Sequence, residues 1–196
     1  MRRLLLIISF VFSLYVGHSQ EMISVYHSSY YDEIYDILVV NDGDLRLYIQ
    51  VSGERKTDRV MFLISGEQKI REFSKALETA KEKFMDWSRV AEENNVKNFD
   101  KRIDVVFPNI TVCWYGLEWW FDFFERPNPR FIVTDSGECV FVMTGTATAS
   151  SNEYVDQVYS VALASEIEFE ELLKNIQVEN LMDFLSKQEN IDTLFK

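Results

Sequence analysis

Apolar and polar residues alternate from Ile34 to Val40 and again from Leu45 to Val51, with Asn41-Asp42-Gly43-Asp44 between them. Asp-Gly flanked by two such runs predicts a tight β-hairpin. With Asp42 and Gly43 as the two loop residues, Val40 meets Leu45, Leu38 meets Leu47 and Ile34 meets Val51, which gathers one apolar face. Ser52-Gly53-Glu54-Arg55-Lys56 turns the chain again, and Val60 to Ile64 supplies a third strand.

The period then changes. Ser65, with Gln68 three residues on, has the form of a capping box at a helix start. Ile70, Phe73, Leu77, Ala80, Phe84, Trp87 and Ala91 follow at steps of three and four, a narrow apolar stripe. They predict a helix from Gly66 to about Asn94, on the order of 43 Å long, with Glu67–Arg71 and Glu72–Lys75 pairs on its polar side. A sheet of four or five strands is about half as wide, so the helix must cross it diagonally, break, or project beyond it. The same stripe offers a seam for self-association, although a single helix lying on a sheet is its commoner use.

The second half is richer in strands. Arg102 to Phe107 and Ile110 to Tyr115 flank Pro108-Asn109, and a two-residue loop there would pair Phe107 with Ile110, Val105 with Val112 and Ile103 with Trp114. Trp119 to Phe124, Arg130 to Thr134, Cys139 to Thr144 and Gln157 to Leu163 read as further strands, with Asp135-Ser136-Gly137-Glu138 as a turn and Gly145 to Asn152 as a mobile loop. Ser165 caps a last helix with Glu168 as reciprocal partner, and a break is expected near Gln177 to Asn180, with a frayed tail from Lys187. The pattern as a whole is α+β: a mainly antiparallel sheet of seven to nine strands, in one or two sheets, covered by one long helix and a C-terminal helix. Both halves end in a Ser-capped helix, so residues 23–94 and 99–187 form a candidate pseudo-repeat.

Residues 1–19 have a different grammar: a basic head at Arg2-Arg3, an apolar run from Leu4 to Val16, and the small-x-small site Gly17-His18-Ser19 before Gln20. This predicts a cleaved secretory signal and one mature domain, 20–196, in the periplasm, at the cell surface or outside the cell. The apolar run is too short for a stable membrane anchor. The leader carries two Arg and no acid, so its removal leaves 18 basic against 32 acidic residues, a formal charge of −14. Such a chain repels phosphate polymers, so nucleic acid is not an expected partner.

Little chemistry stands out. His27 is the one histidine beyond the leader, which leaves scant material for a Ser-His or Cys-His machine. No spacing suggests a metal, and no cofactor is expected: Asp32, Glu33 and Asp36, or Asp42 and Asp44, lack the full ligand periodicity of a calcium loop. Cys113 and Cys139 either form one disulfide or remain two buried free thiols. The most suggestive cluster is Trp114, Tyr115, Trp119, Trp120 and Phe121 beside Glu118, Asp122 and Glu125, since aromatic faces stack on sugar rings while acids bond hydroxyls. Trp119 and Trp120 must face opposite ways on a strand, and Glu118 shares the face of Trp120. Trp114, Trp120, Glu118 and Asp122 are therefore the candidate ligand residues, and the same aromatics serve as core in the alternative reading. The sequence points to an exported, non-enzymatic binding or accessory protein with a protein or glycan ligand. A glycan-binding or glycan-hydrolysing protein and a structural partner docking through the long helix are the competing readings.

Overall fold

Residues 21–194 are described by a computed structural model; the leader predicted over residues 1–19 lies outside the described residues. The described chain runs β1 (Glu21–Ser28), β2 (Glu33–Asn41), β3 (Leu45–Val51), β4 (Arg59–Ser65), α1 (Glu67–Glu93), β5 (Phe99–Arg102), β6 (Ile110–Tyr115), β7 (Trp119–Glu125), β8 (Pro129–Val133), β9 (Cys139–Thr148), β10 (Asp156–Leu163), α2 (Glu166–Ile176) and α3 (Val178–Leu194). Two antiparallel sheets result, one of six strands in the order β1-β2-β3-β4-β6-β7 and one of four in the order β10-β9-β8-β5. The architecture is α+β, as the alternation and the 3.6-residue stripe predict. Because β6 and β7 join the first sheet, the two halves of the chain interleave around one core.

The helix stripe is what this core is built on. Ile70, Phe73, Leu77, Ala80, Phe84 and Ala91 are buried, joined by Ala76. The helix is unbroken over 27 residues, about 40 Å. It needs neither to break nor to project, because it approaches β3 and β4 of one sheet and β8 and β9 of the other. Phe73 meets Phe107 edge-on at 5.0 Å, and Phe84 lies 5.9 Å from Phe131 and 5.3 Å from Phe169 of α2. Trp87 leans on Phe131 with the Lys101 ammonium 4.4 Å over its ring. With its stripe so occupied, α1 presents no apolar seam for a second copy.

Several local expectations are corrected. The first hairpin pairs Asn41 with Leu45 and Val39 with Leu47, one residue away from the expected register. The loop holds three residues, Asp42 to Asp44, with Gly43 at φ +107°, a conformation that favours glycine. One residue of slip exchanges the faces, so Tyr35, Ile37 and Val39 point inward while Ile34 is 65% exposed. Ser65 caps nothing: it ends β4 opposite Arg46, and Gly66, at φ +90°, turns the chain straight from strand to helix. The hairpin expected across Pro108-Asn109 does not form either. β5 joins the four-stranded sheet, β6 pairs with β4 and β7, and residues 103–109 cross between sheets, anchored by buried Ile103 and Phe107. Gly145 to Thr148, expected as loop, extend β9 against β10. Gln177 is extended at the predicted break, whereas α3 continues through Leu194 past the expected fraying point.

The Ser165 cap does form, accepting from the Glu168 amide at 3.3 Å, but the side chain of Glu168 reaches past Ser165 to other amides. Its buried carboxylate accepts from the amides of Ala164 at 2.7 Å and Ser29 at 3.1 Å, while Glu171 accepts from the His27 amide. Two acids of one helix thus hold the end of β1. Replacing Glu168 by Ala would leave two amides without their acceptor, and we expect a loss of about 3 kcal/mol in urea denaturation, with Glu168→Gln intermediate because it keeps one acceptor oxygen.

Candidate functional site

The four predicted ligand residues do not form one surface. Trp114 points into the core from β6, 3% exposed, opposite half-buried Trp120 on β7. Asp122 follows on the same inner face, and Glu118 stands apart in the exposed turn between the strands. Asp122 is engaged in structure: its carboxylate accepts from the Thr148 amide at 3.0 Å and the Phe124 amide at 3.3 Å, tying β7 to β9.

Glu125 joins this inner face through an irregularity that strict alternation conceals. Val112 pairs with Asp122 but Ile110 pairs with Glu125, so Phe123 and Phe124 together oppose Thr111. The extra residue is a β-bulge, and it returns Glu125 to the side of Asp122. There Glu125 accepts a 2.6 Å bond from the Tyr159 hydroxyl, and the buried Tyr159 ring packs edge-on against Phe62 at 5.2 Å. Tyr159 lies so close across Gly145 that a Cβ there would come within 2.4 Å of its hydroxyl oxygen. Burial first, then the bond to Glu125, holds the Tyr159 proton well above the usual range. The adjacent apolar pair Phe123-Phe124 between two acids was the sequence signal for this bulge.

The opposite face of the same strands is displayed. Outward side chains are Arg59, Met61 and Leu63 on β4, Thr111, Cys113 and Tyr115 on β6, and Trp119, Phe121 and Phe123 on β7. Tyr115 is 50% exposed, Trp119 36% and Phe123 53%, and Leu117 at the turn is fully exposed. Tyr115 meets Trp119 edge-on at 5.5 Å, while Phe121 and Phe123 are parallel to within 2°. Arg59 is the register partner of Tyr115, which is that of Trp119, so a guanidinium and two aromatics form one row across three strands.

Other candidates resolve plainly. Cys113 and Cys139 are free thiols in different sheets. Burial pushes the Cys113 thiol up to about 12, and Cys139 is raised less deeply buried, also chiefly by desolvation. Asp42 pairs with Arg46, Glu33 accepts from the Tyr35 hydroxyl, and no group of three His, Cys, Asp or Glu suited to a metal occurs among the described residues. A groove of about 1290 Å³ separates α1 from α2, and ion pairs of Lys81 with Glu170 and Arg71 with Glu179 cross it. No described helix is long and apolar enough to cross a membrane. Comparison with known proteins finds no matching family model, no matching curated protein and no matching solved structure.

The buried hydroxyls set an alkaline limit. Tyr26, Tyr35 and Tyr159 are all raised, by desolvation first, from an ordinary value of 10.0. A raised value means the fold prefers the neutral form, so their contribution is whole below about pH 10 and is lost as pH rises beyond it. Urea midpoints should therefore fall between pH 9 and pH 11, and Tyr159→Phe should flatten part of that slope. Thiol titration at pH 8 should leave Cys113 unreacted in the native protein and count both cysteines once urea unfolds it.

Proposed function

We propose that the protein is an exported, non-enzymatic binding domain that meets its partner through the outward face of β4, β6 and β7. The leader pattern of residues 1–19 and the acidic mature chain support export and solubility in the periplasm or beyond. The observation that carries the binding reading is the displayed row of Tyr115, Trp119 and Phe123. Exposed aromatics grouped on one face, rather than scattered, mark a recognition surface, since a soluble chain gains nothing from leaving them in water.

Glycan hydrolysis is less well supported. The carboxylates that share the inner face of β7 with Trp120 are Asp122 and Glu125, and each already serves as acceptor in the joint between the sheets. A catalytic pair needs one acid free to donate and one free to attack or activate water. Docking through the long helix lacks a surface, because the stripe of α1 faces the core.

Acrylamide quenching tests the proposal on the mature chain. Trp119 is the most exposed of the four tryptophans, with Trp87 and Trp120 half-buried and Trp114 enclosed. A quenchable fraction should be present, should vanish in Trp119→Phe, and should be protected when a cell-envelope fraction containing the partner is added. Uniformly weak quenching, no protection by any envelope fraction, or release of sugar from a glycan by the protein would each overturn the reading.

A further inference from the structure

We infer that the partner of this face is a glycan bearing isolated carboxylates, whose sugar ring stacks on Trp119 and whose carboxylate pairs with Arg59. The inference rests on the binding reading above and names its ligand class. Arg59 is the one charged side chain among the outward residues of β4, β6 and β7, and it makes no ion pair among the described residues. In a chain with this excess of acid, an exposed guanidinium set beside aromatic rings is a local reversal of sign, and its fork of donors matches a carboxylate. The surrounding acidity repels a dense polyanion, so the match is to a single carboxylate on an otherwise neutral unit.

The row fits one sugar residue. Strands lie about 4.8 Å apart, so Arg59 and Trp119, on either side of Tyr115, are separated by about 10 Å of sheet. A ring stacked on Trp119, with the edge-on Tyr115 beside it, can therefore extend an exocyclic carboxylate toward Arg59. For the ring hydroxyl groups the same row supplies the Tyr115 hydroxyl as a partner. An extended peptide adding itself to the sheet is disfavoured, because the outer edge of β7 is already taken: the Ser150 amide donates to the Phe121 carbonyl at 2.8 Å and the Ser150 hydroxyl accepts from the Phe123 amide at 3.3 Å.

The test is a fluorescence titration of the mature protein with a glucuronate-terminated oligosaccharide and with its methyl ester, which removes only the charge. The acid should bind about tenfold more tightly than the ester, as expected for one charge-assisted contact. Arg59→Met should abolish that ratio, Arg59→Lys should keep part of it, and Trp119→Phe should weaken both sugars alike; both side chains are exposed, and circular dichroism would verify that each variant is folded. An acid-to-ester ratio unchanged by Arg59→Met overturns the inference. So does the absence of any sugar binding while an envelope protein protects Trp119 from acrylamide, an outcome that leaves the binding reading standing. If neither sugar nor envelope fraction protects Trp119, both readings fall.

Discussion

One helix must bury an apolar stripe about 40 Å long, and the rest of the fold is arranged to meet that demand. No single sheet of ordinary width can cover such a stripe. Two sheets do, the six-stranded one supplying β3 and β4 and the four-stranded one β8 and β9. Phe84 marks the convergence, touching Phe131 from the second sheet and Phe169 from α2. Burial of this kind is non-directional, so it brings the sheets to the helix without fixing how they meet each other.

Polar groups fix that relation. Ser52 and Ser160 exchange two backbone bonds of 2.9 Å, joining the end of β3 to β10, and the Ser28 hydroxyl donates to the Ala162 carbonyl beside them. At the other side Asp122, Glu125, Tyr159 and Ser150 join β7 to β9, to β10 and to the turn between them. Directional bonds in a partly desolvated seam enforce one geometry where apolar contact would tolerate several. The consequence for function is direct. Acids that looked available for chemistry beside the tryptophans are acceptors within the seam, and the exposed aromatics lie on the other face of the same strands.

Much of the fold was legible in sequence because the stripe of α1 and the alternation of β3 each match one period cleanly. Register was less legible, and the reason is visible in the residues. Ile37-Leu38-Val39-Val40 is apolar at four successive positions, so either face of β2 could have been the inner one, and the three-residue turn around Gly43 made the choice. Ser65-Gly66-Glu67-Gln68 satisfied the composition of a capping box while Gly66 provided a sharper turn that needs no cap. At the candidate site, the sequence singled out Trp114 and Trp120 of the β6-β7 hairpin, and both face inward. Equal rings at Trp119 and Trp120 gave no clue to which face is inward; Trp114 and Trp120 share the inner face, and Tyr115 and Trp119 are the ones displayed. The bulge at Phe123-Phe124 could be read only as a fault in the alternation, and its product, Glu125 beside Asp122, required knowing which strands pair.

An exposed aromatic face is a hazard unless the sheet that carries it is protected against its own kind. Here the open edges are closed one by one. β1 is held along its outer side by Glu171, by Glu168 and by the Asn175 amide on the Val25 carbonyl. Ser52 occupies β10 and Ser150 occupies β7. β5, the remaining edge, is four residues long and includes Asp100, Lys101 and Arg102, with Asp100 bonded to Arg130. Short, charged or occupied edges discourage strand-to-strand association, and the net negative charge keeps copies apart. With those routes closed, Tyr115, Trp119 and Phe123 can stay in water without nucleating aggregation.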